Sequence, residues 1–474
     1  MKQGSVKSPY RKKRPRRAKF QKKQKAQPSS LVRAPRAYRK KGGVTYQRPQ
    51  KTIYTKSDLI DLFAPHNLRY ILRTKDSPFN LKRLKEDEDA KTEGGIVAIP
   101  EVFSIIDNPT ESIAALKRVV RALVVSNDRR VVFDYEKCKS VDIGTQALMD
   151  VILMEYNKFG KKCSNLKRPS ELGLFPEGFG GRNITDENLK KMMFSVGSPA
   201  CLGIRTNDYP DIIPFKMCSR RILTKDDRSK LNELKDLDTT EAVDYVINCL
   251  AKMNKRITPK KLNDLSTVFG EILINAEEHS TLNHRFSVGY FQETTERGKH
   301  YGLLKLVILN FGNTIYETFK NNPKCPLETV EKMRALSENY TRKGLFKTRE
   351  FEEETLWTLY ALQQGVTSVA GKRRGSGTIQ FIRSFFNIKG DQKVDNISRM
   401  VLHSGRTQVI FDGTYGIKEK VDGNNKFNMM TFNDSGSIED MPDKNYVKTT
   451  GIYFPGTIIT ANILLNDDDI KEIS

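Results

Sequence analysis

Residues Thr258–Ser280 read TPKKLNDLSTVFGEILINAEEHS, and the interpretation of the whole chain depends on this stretch. Thr258 followed by Pro259 is typical of a helix start, because a side-chain oxygen can cap free amides and proline suits the first helical position. Apolar residues then recur at offsets of three and four, which predicts one buried helix face. They are Leu262, Leu265, Phe269, Ile272 and Ala276.

Three polar residues lie beside this apolar stripe. Glu271, Asn275 and His279 are each four residues apart, so they line up along one edge of the helix. A carboxylate and a carboxamide one turn apart could serve as a general base and a metal ligand. The alternative is a solvated edge with no special chemistry, and the helix alone leaves both interpretations open.

The strong positive charge of the chain belongs to its N-terminal segment. The 474 residues carry a formal net charge of +24, but residues 1–51 contain 19 Lys or Arg and no Asp or Glu. The remainder has 62 basic against 57 acidic residues, which is ordinary for a globular body. We expect this segment to be a disordered basic tail, because it has few large apolar residues. It could bind nucleic acid, act as a nuclear import signal, or only increase solubility.

The six cysteines favour a reducing, cytoplasmic location. They show neither a CxxC pair nor a histidine at ligand spacing, which argues against a zinc site and a disulfide framework. No apolar run approaches the length of a membrane span, so we expect no membrane contact. The cysteines are Cys138, Cys163, Cys201, Cys218, Cys249 and Cys325.

Residues 96–160 predict a small α/β unit. Ile96–Ile99 and Val131–Asp134 are short apolar strands, and Thr110–Val125 and Gly144–Phe159 have helical periodicity, with Gly160 expected to end the second helix. The following residues 161–225 lack clear periodicity. We expect them to be a linker or an insertion with little structure of its own.

This unit resembles the STAS domains found in anti-anti-sigma factors over about 65 residues. Val131–Asp134 followed by Ser140–Leu148 (SVDIGTQAL) is similar to their apolar strand and Asp-Ser-Ser-Gly-Leu loop. Asp142 matches the family's Asp. Gly144 stands where regulated members carry the phosphorylated serine, so no phospho-acceptor is carried over, and Thr145 is adjacent but shifted.

Downstream of the opening stretch, two glycine-containing segments follow a strand and precede a helix. The apolar run Leu303–Leu309 predicts a buried strand that leads into Asn310-Phe311-Gly312-Asn313-Thr314. Leu356–Gln364 predicts a helix stopped by Gly365, and Gly375-Ser376-Gly377-Thr378 opens another amphipathic helix. Glycines at a helix start let backbone amides approach phosphate oxygens, and the helix end itself favours anions.

In this order, the segments resemble the GHKL ATP-binding fold over about 230 residues, from roughly 226 to 465. That superfamily includes histidine kinases, anti-sigma-factor serine kinases, type II topoisomerases, mismatch-repair proteins and heat-shock chaperones. Glu271–Ser280 (EILINAEEHS) is similar to its N box, most closely in the anti-sigma kinase style. Gly365–Ser368 and Gly375–Gly377 are similar to its lid end and second glycine box.

The resemblance implies an ATP and Mg²⁺ site with assigned roles. Asn275 would coordinate Mg²⁺ and Glu271 would act as the general base. The nucleotide would be held by Asn310 and Gly312 in the first glycine box, by Thr367 and Ser368 at the lid end, and by Gly375, Gly377 and Thr378 in the second. Lys372, Arg373 and Arg374 would offer positive charge.

The first glycine box departs from the family pattern Asp-x-Gly-x-Gly. Asn310 stands where the family has an aspartate that binds the adenine amino group, and Thr314 stands at the second glycine. Asn310 could accept that hydrogen bond only without a charge, which weakens it. The long segment 313–370 between the two boxes, helical around Leu327–Glu338, is expected to be an elaborated ATP lid.

The sequence therefore predicts a mixed α/β and α+β protein with four parts. These are a basic tail (1–55), a STAS-like α/β domain (56–165), a linker or insertion (166–225) and a GHKL (Bergerat-type) α/β sandwich (226–474). We expect strands at Thr407–Phe411 and Thr457–Leu464, with a turn at Phe454-Pro455-Gly456.

Three functions remain open at this stage. One is a cytoplasmic ATP- and Mg²⁺-binding regulator that resembles anti-sigma serine kinases, with a protein partner and protein kinase or weak ATPase activity. Another is a nucleotide-gated binding protein with little or no catalysis, whose tail (residues 1–51) contacts nucleic acid. An ATPase of the topoisomerase or mismatch-repair type is a third possibility. The pattern does not identify the substrate or the oligomeric state.

Overall fold

The protein is a mixed α/β structure with parallel and antiparallel sheets. The computed structural model describes residues 55–126, 128–164, 176, 178–204, 207–221, 231–278, 281–296, 299–341, 351–366, 368, 377–389, 397–422, 425–465 and 470–472. The predicted basic tail therefore lies outside the described residues, apart from Thr55. Lys56–Ser474 forms one compact unit.

The helices, in chain order, are α1 (Lys56–Phe63), α2 (His66–Arg73), α3 (Leu81–Glu86), α4 (Pro109–Val124), α5 (Ile143–Ser164), α6 (Glu187–Ser195), α7 (Ser198–Cys201), α8 (Leu231–Lys252), α9 (Pro259–Glu278), α10 (Ile315–Lys320), α11 (Leu327–Thr341), α12 (Glu353–Ala361) and α13 (Gly377–Lys389). The strands are β1 (Ile96–Ala98), β2 (Val102–Phe103), β3 (Arg130–Asp134), β4 (Ser140–Val141), β5 (Gly178–Arg182), β6 (Ile212–Arg221), β7 (Lys255–Ile257), β8 (His284–Glu296), β9 (Lys299–Phe311), β10 (Arg399–Phe411), β11 (Lys418–Asp422), β12 (Asn425–Met429), β13 (Val447–Leu465) and β14 (Ile470–Glu472).

A five-stranded antiparallel sheet, in the order β10-β13-β9-β8-β6, lies at the centre of the molecule. Alternate residues of β13 point to opposite faces because the side-chain period of a strand is two. Ile459, Ala461 and Ile463 join a core made with α8, α9, α12 and α13. The apolar face predicted for the opening helix is thus buried against this side of the sheet, with Leu265 and Phe269 at its centre.

The N-terminal α/β part covers the opposite face of the same sheet. Its three strands form a parallel sheet in the order β1-β3-β5, and its helices α4 and α5 lie against β13 and β9. Arg399 on β10 pairs with Asp107 at 3.2 Å, and the side chain of Gln408 bonds the carbonyl of Ile106. One sheet therefore packs between two different layers.

Gly144 marks the closest approach between these two parts. A Cβ atom at this position would lie 2.4 Å from Cγ2 of Thr460 on β13, a distance that real Cβ contacts do not show. The neighbouring Thr145 is fully buried, and its hydroxyl accepts from the amide of Ile105 and donates to Asp142. Positions 144 and 145 of this loop are thus covered, whereas Ser140 at its start is exposed.

Three expectations from the sequence are wrong in detail. Residues 178–221 are not an unstructured insertion, since they contain β5, α6, α7 and the edge strand β6. Gly160 does not end α5, which continues to Ser164 because Cys163 is buried in the next turn. Pro455 and Gly456 lie inside β13 and make no turn.

The other predicted strands and helices have counterparts in the structure, although the helix predicted over Leu356–Gln364 and stopped by Gly365 is α12, Glu353–Ala361. The opening helix begins at Pro259 as predicted, and its first turn is closed by a bond from the amide of Leu262 to the carbonyl of Thr258. β9 spans the apolar run Leu303–Leu309, which is buried because both faces of the central sheet are covered.

We expect Gly144→Ala to destabilise the protein by about 1–3 kcal/mol, because the added methyl overlaps the Thr460 side chain. Urea denaturation of Gly144→Ala, Thr460→Ser and the double variant measures this. Thr460→Ser removes the clashing methyl, so the double variant should recover much of the loss. Full stability of Gly144→Ala alone would contradict the packing described here.

Candidate functional site

Helices α9 and α13 pack side by side and run in opposite directions. Asn387 at the end of α13 donates from Nδ2 to Oδ1 of Asp264 near the start of α9, at 3.0 Å, and Lys261 bonds the carbonyl of Asn387. At 1.5 Å per residue, Asn275 lies about 16 Å along α9 from Asp264, and Gly377 lies about 15 Å along α13 from Asn387. The N-terminus of α13 is therefore level with Asn275.

This arrangement brings two of the predicted segments to one end of the helical layer. Glu271 is half-buried in α9, one turn before Asn275. Asn275 is helical, and the structure describes this residue no further than its backbone. Gly377 and Thr378 form the first residues of α13, with Thr378 half-buried. Thr367, Gly375, His279 and the basic triplet 372–374 lie outside the described residues.

Asn310 joins the opening helix to the central sheet. Its Nδ2 donates to the carbonyl of Ala276 on α9, and its Oδ1 accepts from the amide of Thr457 on β13 at 3.1 Å. The side chain is almost completely buried. Asn310 therefore has a structural role in this fold, and its predicted contact with adenine stays a prediction.

Two glycines, Gly312 just after β9 and Gly456 inside β13, allow the backbone to pack closely around Asn310. Gly312 has a φ of +142°, and a Cβ there would lie 2.6 Å from Oγ1 of Thr281, just after α9. Gly456 has a φ of +148°, and a Cβ there would lie 2.1 Å from the carbonyl oxygen of Asn310. Both positions combine a backbone conformation that favours glycine with no space for a side chain. The Phe454-Pro455-Gly456 sequence thus allows β13 to approach β9 closely.

Thr314, at the position that corresponds to the second glycine of the GHKL pattern, is the N-cap of α10. Its hydroxyl accepts from the amide of Glu317, and the Glu317 carboxylate accepts from the amide of Thr314, which is a complete capping box. A threonine at this position stabilises the helix that begins the segment between the glycine boxes. The departure from the family pattern therefore has a local structural cause.

The described part of the expected lid is a packed helical layer. Trp357 on α12 is among the largest fully buried side chains, and its indole nitrogen donates to Ser337 on α11 at 3.2 Å. Ser368 is buried, and its carbonyl accepts from Nδ2 of Asn322. Helices α11 and α12 thus contact the core, and the ATP lid expected over 313–370 stays a prediction.

A polar chain that the sequence did not suggest links the exposed Ser219 to the buried His284 and Asn67. Ser219 Oγ lies 2.8 Å from Nε2 of His284, and Nδ1 of His284 lies 2.8 Å from Nδ2 of Asn67. Asn67 Nδ2 also donates to the carboxylate of Glu155, which orients the amide. The amide nitrogen can only donate, so Nδ1 accepts and the proton of the neutral ring sits on Nε2.

This proton placement excludes a serine nucleophile activated by His284. A general base must present an unprotonated nitrogen to the serine hydroxyl, whereas here Nε2–H faces Ser219. Burial, with Arg221 nearby, lowers the pKa of His284 to about 4 and keeps the ring neutral. The chain Ser219–His284–Asn67 therefore fastens α2 to the sheet and has no catalytic geometry.

A second buried group lies within the N-terminal α/β part. Asp150 on α5 accepts from Gln146 Nε2 at 2.6 Å and from the hydroxyl of Ser198 on α7. Burial raises the pKa of this carboxyl to about 7. Its partners are internal side chains, so this cluster holds α7 onto α5.

No family model, curated protein or solved structure matches this chain. Among the described residues, no three His, Cys, Asp or Glu side chains come together in a way that could hold a metal ion. Within the same ranges, every helix is too short or too polar to cross a membrane.

We expect Asn310→Asp to lower the free energy of unfolding by about 1–3 kcal/mol, since a carboxylate cannot donate to the carbonyl of Ala276 and leaves that buried group unpaired. Chemical denaturation at neutral pH measures the loss. The substitution restores the residue of the family pattern, so unchanged stability would show that the internal bonds of Asn310 are unimportant.

Acid should destabilise the protein through His284. The folded-state pKa of about 4 lies below the ordinary value of 6.5, so the unfolded chain binds more protons in that window and stability falls as the pH falls from 6.5 to 4. Denaturation curves of His284→Gln at these two pH values should show a smaller loss than the wild type.

Asp150→Asn is a control that should change the loss of stability on acidification in the opposite direction. The raised pKa of Asp150 contributes stability that increases as the pH falls from 7 toward 3.8, so its removal should enlarge the loss on acidification. Equal losses in the wild type and His284→Gln would contradict a neutral, buried His284.

Proposed function

We propose that this chain is an ATP- and Mg²⁺-binding regulatory protein in which nucleotide binding controls contact with a macromolecular partner, with little or no phosphotransfer. The proposal combines the resemblance to the GHKL fold with the packing of α9 against α13. Its main support is that the N-terminus of α13 is level with Asn275 along α9, since the first amides of a helix have no partner within the helix.

This pair of features suits a phosphate group with a bound Mg²⁺. The first amides of a helix are free to donate, and the helix dipole favours negative charge at that end. Mg²⁺ prefers oxygen ligands and keeps several waters, so one carboxamide oxygen from Asn275 together with phosphate oxygens would suffice. Asn275 would hold the metal, and the start of α13 at Gly377 and Thr378 would hold the phosphates.

The contacts around Gly144 favour regulation over phosphotransfer within the chain. A kinase that acted on its own STAS-like part would need an accessible hydroxyl there. Gly144 has none and lies against Thr460, while the Thr145 hydroxyl is buried and bonded to Asp142. Phosphotransfer to position 144 or 145 is therefore disfavoured.

The basic residues 1–51 are the proposed contact with nucleic acid. Nineteen Lys or Arg without an acidic residue would neutralise phosphates in a salt-dependent way that is insensitive to sequence. In this proposal, the protein is cytoplasmic and nucleotide binding alters the affinity of the full chain for nucleic acid.

Titration calorimetry with ATP and Mg²⁺ tests the site directly. We expect Asn275→Ala to bind ATP at least tenfold more weakly in the presence of Mg²⁺, because the metal loses its protein ligand. Glu271→Ala should still bind. Asn263→Ala is a matched control, since Asn263 is exposed on the same helix, three turns earlier. Absence of ATP binding by the wild type would refute the proposal.

Incubation with labelled ATP separates regulation from kinase activity. The proposal expects no labelled protein, and expects a non-hydrolysable ATP analogue to change nucleic-acid binding of the full chain as ATP does. Labelling of the chain or of an added STAS protein would favour the kinase alternative.

A further inference from the structure

A continuous groove runs between the edge strand β6 and helix α8. It consists of three adjoining cavities of about 300, 360 and 240 Å³. The first two share Ile213 and Lys252, and the second and third share Glu241. The groove begins in the segment before β6 and ends between α8 and the sheet, at Phe269 of α9.

The groove is acidic although the chain as a whole is strongly basic. Six carboxylates line the three cavities, against three lysine or arginine side chains. Of the six, Asp211 is paired with Lys191 and Asp238 is paired with Arg220 and Arg285. The carboxylates are Asp208, Asp211, Asp238, Glu241, Asp244 and Glu293; the cations are Lys216, Lys252 and Arg285.

Exposed carboxylates and apolar side chains alternate along α8. Glu241 and Asp244 are both exposed and lie one turn apart, so they face the same side of the helix. Leu237, which is 49% exposed, lies one turn before Glu241. This face therefore offers negative charge beside an apolar surface.

Tyr245 makes the apolar wall of the groove rigid. Its hydroxyl accepts from the amide of Phe291 on β8 at 2.8 Å and donates to the carbonyl of Ile213 on β6. The ring also packs against Phe215, with centroids 5.1 Å apart. The groove is thus preformed, which lowers the entropy cost of binding an extended ligand.

The strand edge itself is poorly suited to accept a further strand. Pro214 has no amide proton, and the pairing of β6 with β8 shifts register between Phe215 and Cys218. Proline and irregular pairing are features that block edge-to-edge association. An occupant would therefore bind through side chains in the groove and would not extend the sheet.

We propose that this groove binds an extended, Lys- or Arg-rich segment of a partner protein. Residues two apart in an extended segment point the same way and lie about 7 Å apart, close to the separation of side chains one helical turn apart. Basic residues at alternate positions would thus reach Glu241 and Asp244 together, and the residues between them would contact Ile213 and Tyr245.

Fluorescence anisotropy with the full chain tests the proposal. The probe is a labelled twelve-residue peptide with arginine at every second position and alternating threonine and valine between. We expect Glu241→Gln/Asp244→Asn to weaken its binding about tenfold at low salt, and the difference to shrink at 1 M salt. Glu328→Gln/Glu331→Gln is the matched control, because both residues are exposed and three apart on α11.

A charge exchange makes the test specific. A peptide with glutamate in place of arginine should not bind the wild type but should bind Glu241→Lys/Asp244→Lys. Equal loss with the α11 control, or equal binding of the two peptides to the wild type, would overturn the proposal.

A further variant tests whether the occupant belongs to this chain. Arg11, Lys12, Lys13, Arg14, Arg16 and Arg17 are replaced by glutamine in the full chain. The proposal expects unchanged peptide affinity. A gain in peptide affinity of tenfold or more would mean that the chain's own basic segment competes for the groove. The proposal that a partner protein occupies the groove would then be wrong.

Discussion

The carboxamide of Asn310 connects the three elements on which the rest of the fold depends. From its place on β9 it holds the end of α9 through Ala276 and the neighbouring strand β13 through Thr457. An amide side chain can donate to one backbone group and accept from another at the same time, whereas a carboxylate can only accept. The glycines at 312 and 456 are then required, because the backbones meet too closely for a side chain. The position of α9 relative to the sheet follows from this one buried group.

The central sheet has a helical layer on one face and an α/β layer on the other, and this limits how the chain can work. A module fixed on the second face is separated by the thickness of the sheet from helices α9 and α13 on the first. Signals between the two layers would have to pass through shared strands such as β13, which contacts Asn310 on one side and Gly144 on the other. The shared strands thus link the two layers mechanically.

The spacing of apolar residues predicted the long helices and strands well, because the residues that the spacing assigns to the core are the ones that the fold buries. The opening helix and β9 are examples, and Thr258-Pro259 correctly marked the helix start. The edge strand β6 was missed because Pro214 and the register shift after Phe215 break the alternation of apolar and polar residues. Gly160 was misjudged as a helix end because burial of Cys163 outweighs the local preference of glycine.

The partners of the candidate site residues were harder to predict than the residues themselves. Asn310 contacts backbone groups 34 and 147 positions away in the chain, and backbone groups leave no signature in a sequence. The same holds for Gly144, whose need for glycine comes from a methyl group on a distant strand. That contact also couples two positions that are far apart in the chain. A side chain at position 144 would collide with the Cγ2 methyl of Thr460, so the residue that fits at one position depends on the residue at the other.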